Sequence, residues 1–467
     1  MGKNLLRTLY LFTVGFCALF IMTAYWQLVR GPELALHPRN PRLLARQQTV
    51  PRGGIYDRHG ESLAESIQVG EVYRRQYHGG PSLGPTIGYS HPRLGLSGLE
   101  QVYNEELAGL TPEDSVVQWW QKTRGKGPAG NSIFTTLDLG LQKLAAQAFG
   151  ERRGAVVALV PSTGEILALV SSPGYDPNGL EELWPQLRED PHSPLLNRAI
   201  QGRYPPGSAF KVFTLAAALA SETVDWHGIY PDEGSLEIGN YTLTNPGELA
   251  YGPLTLVDAL ARSSNVVFGR IGLEMGQQLW SKQVESWGFK GDLEFDLPLA
   301  AGHVPDPEEI GRADLAQLAI GQGALTVTPL HMAVLAATIA NDGVMMRPYL
   351  VETIVDPLGR NKYQVQRKAI GRPITALQAQ RVGEAMAAVV ERGTGQRARV
   401  AGVGVAGKTG TAQNPHGPDH SWFIAYAPRK APQIAIAVIV EGGGAGGGLA
   451  ATITREILQG FFGLSGT

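Results

Sequence analysis

Residues 8 to 29 carry no charged side chain. In hydrocarbon a backbone of that length has one way to satisfy its own amides, an α-helix about long enough to cross a bilayer. Leu9, Leu11, Phe12, Val14, Phe16, Leu19, Phe20, Ile21 and Met22 fill the run, and Tyr25 and Trp26 close it as interfacial aromatic residues would. A cleaved export signal competes with this reading, but the run is long for its apolar core and no small-Xaa-small cleavage site follows it. An uncleaved anchor is therefore expected over 8–29, behind a short tail of residues 1–7. The flanking charges do not orient it, because Lys3, Arg7 and the amino terminus precede the span while Arg30, Arg39, Arg42 and Arg46 follow. A large body after an N-terminal anchor is usually translocated whatever those charges are.

The rest of the 467 residues suffices for about three domains and a large core. Lys and Arg number 40 against 42 Asp and Glu, a net charge of −2, and no basic run is interleaved with aromatic residues, so nucleic acid is not an expected partner. The single cysteine, Cys17, lies in the apolar run, which excludes an internal disulfide and a cysteine-based metal site. Neither a metal nor a cofactor is expected.

Composition and turn signals divide the chain after the anchor. Residues 30–153 hold short segments punctuated by Gly and Pro and read as an elongated β-rich module. Its clearest signal is the hairpin pattern of 52–64, in which His59-Gly60 suits a tight turn between Ile55-Tyr56 and Leu63-Ala64. Trp119-Trp120 reads as packing at a domain edge. Asp138 is placed to cap a helix carrying Leu141, Leu144, Ala145 and Phe149. Residues 154–467 open with two apolar strands, 154–160 and 166–170, around Pro161-Ser162-Thr163-Gly164. Helices follow over 208–221 and 330–339, the second capped by Thr328 with Pro329 in its first turn. Strands return at 400–412, 421–427 and 433–441, then come the glycine-rich stretch 442–448 and a last helix through Ile453 and Leu458. Strands at both ends with helices between predict an α+β domain, built on one mixed sheet flanked by helices.

Three short segments carry the chemistry: Ser208-Ala209-Phe210-Lys211, Ser263-Ser264-Asn265 and Lys408-Thr409-Gly410-Thr411-Ala412. Each alone is cheap by chance; their order and spacing are not. A hydroxyl is a poor nucleophile at neutral pH and needs a base, a proton relay and a cationic docking point. Pro205-Pro206-Gly207 stops any earlier element, so Ser208 is expected at the first turn of a helix, with Lys211 on its face. In a cleft poor in water, and near the Lys408 ammonium, Lys211 would lose its proton readily enough to take that of the serine. Ser263 suits a proton relay and Asn265 a holder of the lysine and of a substrate amide. Lys408, Thr409, Gly410 and Thr411 would offer a strand edge and a carboxylate dock to an extended peptide. The amides of Ser208 and Thr411 are the expected oxyanion pair. His416 and His420 also stand four apart, but Pro415, Gly417 and Pro418 preclude one helical face, and a solvated loop is the better reading than a metal site.

At these residues the chain resembles a known family, the class B penicillin-binding proteins, most closely their shorter Gram-positive and actinobacterial branch. The resemblance extends to Arg52-Gly53-Gly54-Ile55-Tyr56-Asp57-Arg58-His59-Gly60, Ser97-Gly98-Leu99-Glu100, Tyr204-Pro205-Pro206-Gly207, Gly321-Gln322-Gly323, Thr328-Pro329 and Ser421-Trp422-Phe423. It implies a penicillin-binding, β-lactamase-like transpeptidase fold on residues 154–467 above a pedestal on 30–153. It also implies peptidoglycan D,D-transpeptidase activity: acyl transfer from D-Ala-D-Ala stem peptides of lipid-linked glycan, with covalent capture of β-lactams. Further implications are a membrane glycan polymerase of the SEDS family as partner, a cytoplasmic N-terminus and an extracytoplasmic body. Position 264 is Ser where many penicillin-recognising enzymes carry Asp. A D,D-carboxypeptidase or β-lactamase-type hydrolase shares the triad but must admit water, and a non-catalytic scaffold or antibiotic sensor would keep only the fold.

Overall fold

The computed structural model describes residues 2–31, 50–111, 114, 127–291, 293–414, 417–444 and 447–464; Trp119-Trp120 and His416 fall outside them. Helix α1 (Gly2–Ala24) continues into a π-helical segment, Tyr25–Arg30. The stretch Leu6–Arg30 has a mean hydropathy of 1.7, its apolar window is nowhere buried, and it is the one helix among the described residues long and apolar enough to cross a membrane.

The chain then builds a meander. β1 (Ile55–Tyr56) and β2 (Ser62–Val69) pair antiparallel with Ile55 opposite Ala64, and Gly60 takes the positive φ of 84° that the turn requires. β3 (Val72–Tyr77) continues the meander, and β4 (Ser132–Thr135) lies parallel to β1. Beside them Glu100 is fully buried between two guanidinium groups, with Arg75 Nε 2.5 Å from Oε1 and Arg52 Nη2 2.8 Å from Oε2. Burial works against its carboxylate, but Arg75 and Arg52 outweigh it and hold the pKa below the usual range.

Asp138 caps α2 (Leu139–Phe149), its Oδ1 accepting the Leu141 amide at 2.8 Å. β5 (Gly154–Leu159) and β6 (Ile166–Ser172) form a hairpin, and helices α3 (Lys211–Ala220), α4 (Leu256–Arg262), α5 (Asn265–Ser286) and α6 (Pro329–Ala340) follow. Thr328 caps α6, whose Leu330, Met332 and Leu335 are fully buried. The chain next leaves this body: β7 (Val351–Val355) pairs with β4, and β8 (Asn361–Gln364) pairs with β7. The first sheet thus runs β8-β7-β4-β1-β2-β3, drawing on both of the regions that composition separates. The helix α7 (Ala376–Arg392), strands β9 (Ala406–Ala412), β10 (His420–Ala427) and β11 (Ile434–Val440), and α8 (Leu449–Phe461) complete the chain.

The second sheet, β9-β10-β11-β5-β6, joins the two ends of its region, but every neighbouring pair is antiparallel, which corrects the expected mixed sheet. Near-continuous apolar runs usually mark parallel strands, because those are buried on both faces. Here helices cover both faces of an antiparallel sheet. Ala155, Val157, Ala437 and Ile439 face the core that holds α3 and α6, while Val156, Ala158, Ile436 and Val438 face α2 and α8. The strand expected from residue 400 begins at Ala406; residues 400–403 are a turn closed by Val403 N–H to the Val400 carbonyl at 3.2 Å.

Glu100→Ala leaves two buried guanidinium groups without their shared carboxylate, and loss of one partner of a buried pair costs about 3–5 kcal/mol. Chemical unfolding of the detergent-solubilised chain is expected to show that loss, while Glu65→Ala, which removes only a half-exposed contact with His78, changes stability little.

Candidate active site

The three motifs arrive from separate elements. A 3₁₀ turn, Gly207–Phe210, runs directly into α3 and places Ser208 half-buried just ahead of it. Gly207 has φ 54°, and a Cβ there would lie 2.3 Å from the Thr411 carbonyl oxygen, so glycine lets this turn close on β9. Gly410 answers from the strand: a Cβ on it would lie 2.7 Å from the Pro206 carbonyl oxygen. The contact is fixed at its rim by the Gly207 amide to the Gly321 carbonyl (2.8 Å), Gln322 Nε2 to the Thr411 carbonyl (3.2 Å) and Trp422 Nε1 to the Pro205 carbonyl (2.9 Å).

Lys211 and Lys408 are fully buried. Lys211 Nζ donates to the Ser263 carbonyl at 2.7 Å and to Asn265 Oδ1 at 2.7 Å, and lies 3.4 Å from Ser263 Oγ. The Phe268 ring centroid is 5.8 Å from the same nitrogen. Lys408 Nζ donates to Ser263 Oγ at 2.9 Å and to the Thr409 carbonyl at 2.9 Å, with Thr409 Oγ1 at 3.3 Å. One hydroxyl therefore stands between two lysine nitrogens. Burial pushes Lys211 well below its ordinary value, the Lys408 ammonium adds to this, and the Asp232 carboxylate opposes it. Burial lowers Lys408 to about 7.

The structure thus brings Lys211, Ser263, Asn265, Lys408 and Thr409 into direct contact. Gly410 and Thr411 pack against the Ser208 turn, and Thr411 is half-exposed on the outer strand of the sheet. Ser208 Oγ itself has no hydrogen-bond partner among the described residues, so the nucleophile candidate borders this network without being tied into it.

Ser263 is held at φ 60°, a left-handed conformation uncommon for a residue with a side chain, where it ends α4. A polar cluster that the motifs do not reveal supports it. Asp232, 1% exposed, accepts from Ser264 Oγ at 2.5 Å and from Asn245 Nδ2 at 2.7 and 3.0 Å. Asn245 Oδ1 in turn accepts the Asn265 amide at 2.7 Å, and Asn265 Nδ2 donates to the Thr244 carbonyl at 2.7 Å. Asp232 stands in Pro231-Asp232-Glu233-Gly234, which reads locally as a turn and gives no hint of a distant partner. Thr394 is a second such residue, its hydroxyl 2.8 Å from that of Thr409. His420 Nδ1 accepts the Gly442 amide at 3.1 Å and its ring meets Tyr204 edge-on at 5.7 Å. Among the described residues no group of three His, Cys, Asp or Glu could hold a metal ion.

Against known families, residues 154–459 match the penicillin binding protein transpeptidase domain and residues 52–133 the penicillin binding protein A dimerisation domain. The chain is 35% identical to the peptidoglycan D,D-transpeptidase PbpA of Mycolicibacterium smegmatis, over 98% of each chain. Among solved structures it is similar to penicillin-binding protein A from M. tuberculosis in its penicillin G acyl-enzyme complex, with a TM-score of 0.82, 33% identity, and coverage of 88% of this chain and 100% of that one. The D,D-transpeptidase domain of a peptidoglycan glycosyltransferase from Eggerthella lenta gives a TM-score of 0.81 at 33% identity, covering 90% of this chain and 99% of that chain.

The Lys408 geometry carries a stability signature. Its folded pKa, about 7, lies below that of the unfolded chain, so the folded state binds fewer protons between the two values. The penalty is fully present below pH 7 and is relieved as pH rises from there toward 10.5. Thermal unfolding at pH 7 and pH 9 is expected to show a smaller gain with pH in Lys408→Met than in the unsubstituted chain.

Proposed function

Because the chain belongs to the class B penicillin-binding proteins, we propose that it is a peptidoglycan D,D-transpeptidase, which cross-links stem peptides through an acyl-Ser208 intermediate and is acylated by β-lactams. The observation that carries this reading is the sharing of the Ser263 hydroxyl by Lys211 and Lys408 beside the half-buried Ser208.

Lys211 is the general base. It is desolvated and faces a second lysine, so its neutral form is populated where an ordinary lysine is charged, and that form takes the Ser208 proton as Oγ attacks the penultimate D-Ala carbonyl. Ser208 Oγ need not be hydrogen-bonded to the base at rest, since such contacts tighten when substrate arrives. The amides of Ser208 and Thr411 face the developing oxyanion, aided by the start of the helical segment. The C–N bond then breaks, and the departing D-Ala amine receives its proton through Ser263 Oγ. An incoming amine attacks the acyl carbon, the Ser208 Oγ–C bond breaks, and the amine's proton returns to Ser208 by the same path. Asn265 holds Lys211 and the substrate amide. Lys408, Thr409 and Thr411 receive the terminal carboxylate, with Gly410 allowing the close approach of strand and serine turn. A carboxylate arriving at Lys408 restores the ammonium that burial disfavours, so docking and charge appear together.

The same reading assigns residues 1–7 to the cytoplasm, 8–29 to the anchor, 30–153 to a pedestal and 154–467 to the transpeptidase domain outside the membrane. The pedestal sheet nevertheless takes β7 and β8 from the later region. The partner it calls for is a SEDS-family glycan polymerase that supplies lipid-linked glycan.

Two measurements test the proposal. Fluorescent penicillin should label the chain and fail to label Ser208→Ala, with Lys211→Ala acylated about 100-fold to 10,000-fold more slowly. Cross-linked muropeptide should form from lipid-linked substrate with a co-purified polymerase and disappear in both variants. An unlabelled chain would favour the scaffold instead.

A further inference from the structure

Asp232 is 1% exposed and makes no ion pair among the described residues. It ends the short strand Tyr230–Asp232, which pairs with Gly252–Leu254 ahead of α4. Its partners are neutral donors: Ser264 Oγ to Oδ2 at 2.5 Å, the Gly234 amide to Oδ1 at 3.0 Å, and Asn245 Nδ2, 2.7 Å from one oxygen and 3.0 Å from the other. Ser264 Oγ also accepts the Val267 amide at 3.0 Å, which commits its own proton to Asp232. A carboxyl group that only accepts is ionised. Such a buried charge is costly unless an opposite charge lies within reach. Three hydrogen bonds join it to one: Asn245 Nδ2 to Asp232, the Asn265 amide to Asn245 Oδ1 at 2.7 Å, and Lys211 Nζ to Asn265 Oδ1 at 2.7 Å. The charged groups acting on Lys211 are Lys408, from β9, which favours loss of its proton, and Asp232, which opposes it.

We infer that Asp232 is a positioning residue of the reaction: its negative charge keeps Lys211 basic enough to take the Ser208 proton, and its bonds through Asn245 hold Asn265 against that lysine. The inference rests on the acyl-Ser208 reading. In that reading Ser208 Oγ bonds to the carbonyl carbon, the carbonyl π pair moves onto oxygen, and the Ser208 proton passes to the neutral Lys211 Nζ. The ammonium so formed is buried and stands near Lys408, the least favourable place for a second positive charge. Burial and Lys408 make Lys211 neutral at rest, but the same two causes weaken it as a base, because a lysine that gives up its proton too readily also takes one poorly. Asp232 sets the balance between these demands. It is the fixed counter-charge for the ammonium that appears during acylation, already oriented before substrate arrives. Asp232 touches neither substrate nor the reacting atoms and takes no proton.

The test is the rate at which fluorescent penicillin acylates the detergent-solubilised full chain, followed against pH. In the unsubstituted chain the rate rises with pH as Lys211 loses its proton and falls again where Lys408 loses its own. Asp232→Asn should move the rise about one pH unit lower, as removal of one nearby negative charge predicts, and lower the plateau about threefold to tenfold. The fall at higher pH should stay where it is. Ser264→Ala removes one donor to Asp232 and keeps the charge, so its rise should also stay in place. An Asp232→Asn variant that loses rate with its rise unmoved, or a Ser264→Ala variant whose rise moves as far, overturns the inference while leaving the acyl-serine reading intact, because Asp232 would then serve only to pack the joint. An unsubstituted chain that is not acylated overturns both. Should Asp232→Asn fail to fold, Asp232→Ser, which leaves room for water in place of the carboxylate, reads the same rise.

Discussion

Two fully buried lysine nitrogens, sharing one serine hydroxyl, form the contact on which the rest of this architecture depends. Neither can hold its proton as a solvated lysine does, and the Lys408 ammonium further lowers the claim of Lys211 to one. The contact exists because three elements far apart in sequence meet there: the first turn of α3, the joint between α4 and α5, and β9. Each is constrained by its own device. Gly207 and Gly410 allow turn and strand to close, and the left-handed Ser263 turns its hydroxyl inward. The Asp232 carboxylate, buried and hydrogen-bonded to Ser264 and Asn245, holds that joint and partly opposes the loss of the Lys211 proton.

The scaffold ties this domain to the first sheet by shared strands and by charge. Val351 and Ile354 in β7 sit opposite Thr135 and Ile133 in β4, so the sheet cannot separate from the transpeptidase body without breaking a ladder. Glu165, at the β5–β6 turn, bonds Arg58 at 3.2 Å, Arg367 at 2.9 Å and the Tyr349 hydroxyl at 3.2 Å, joining three chain segments at one carboxylate. Asp296 accepts the Leu350 and Val351 amides at 2.6 and 2.9 Å and so fixes where β7 departs.

Much of this was legible in the sequence where the cause is local. The caps at Asp138 and Thr328, the turn at His59-Gly60, the β5–β6 hairpin and the buried α6 follow from residue chemistry within a few positions. The three motifs were legible as residue types whose chemistry makes sense only together. What the sequence concealed is non-local. β7 has a pattern that any sheet could accept, and nothing in it names β4 as partner. The antiparallel order of the second sheet was hidden because helices on both faces erase the alternation that antiparallel strands normally show. Asp232 and Asn245 carry no sequence signal of their role, since a hydrogen bond to a distant side chain leaves no trace in their neighbours.

The account stands or falls on the protonation of Lys211. The most direct measurement is the ¹³Cε chemical shift of Lys211 against pH in the lysine-labelled, detergent-solubilised chain, assigned by its absence in Lys211→Gln. The account predicts that this resonance titrates well below the ordinary lysine value of 10.5. A Lys211 that stays protonated through that value would contradict it, because a permanently charged lysine cannot take the proton of Ser208.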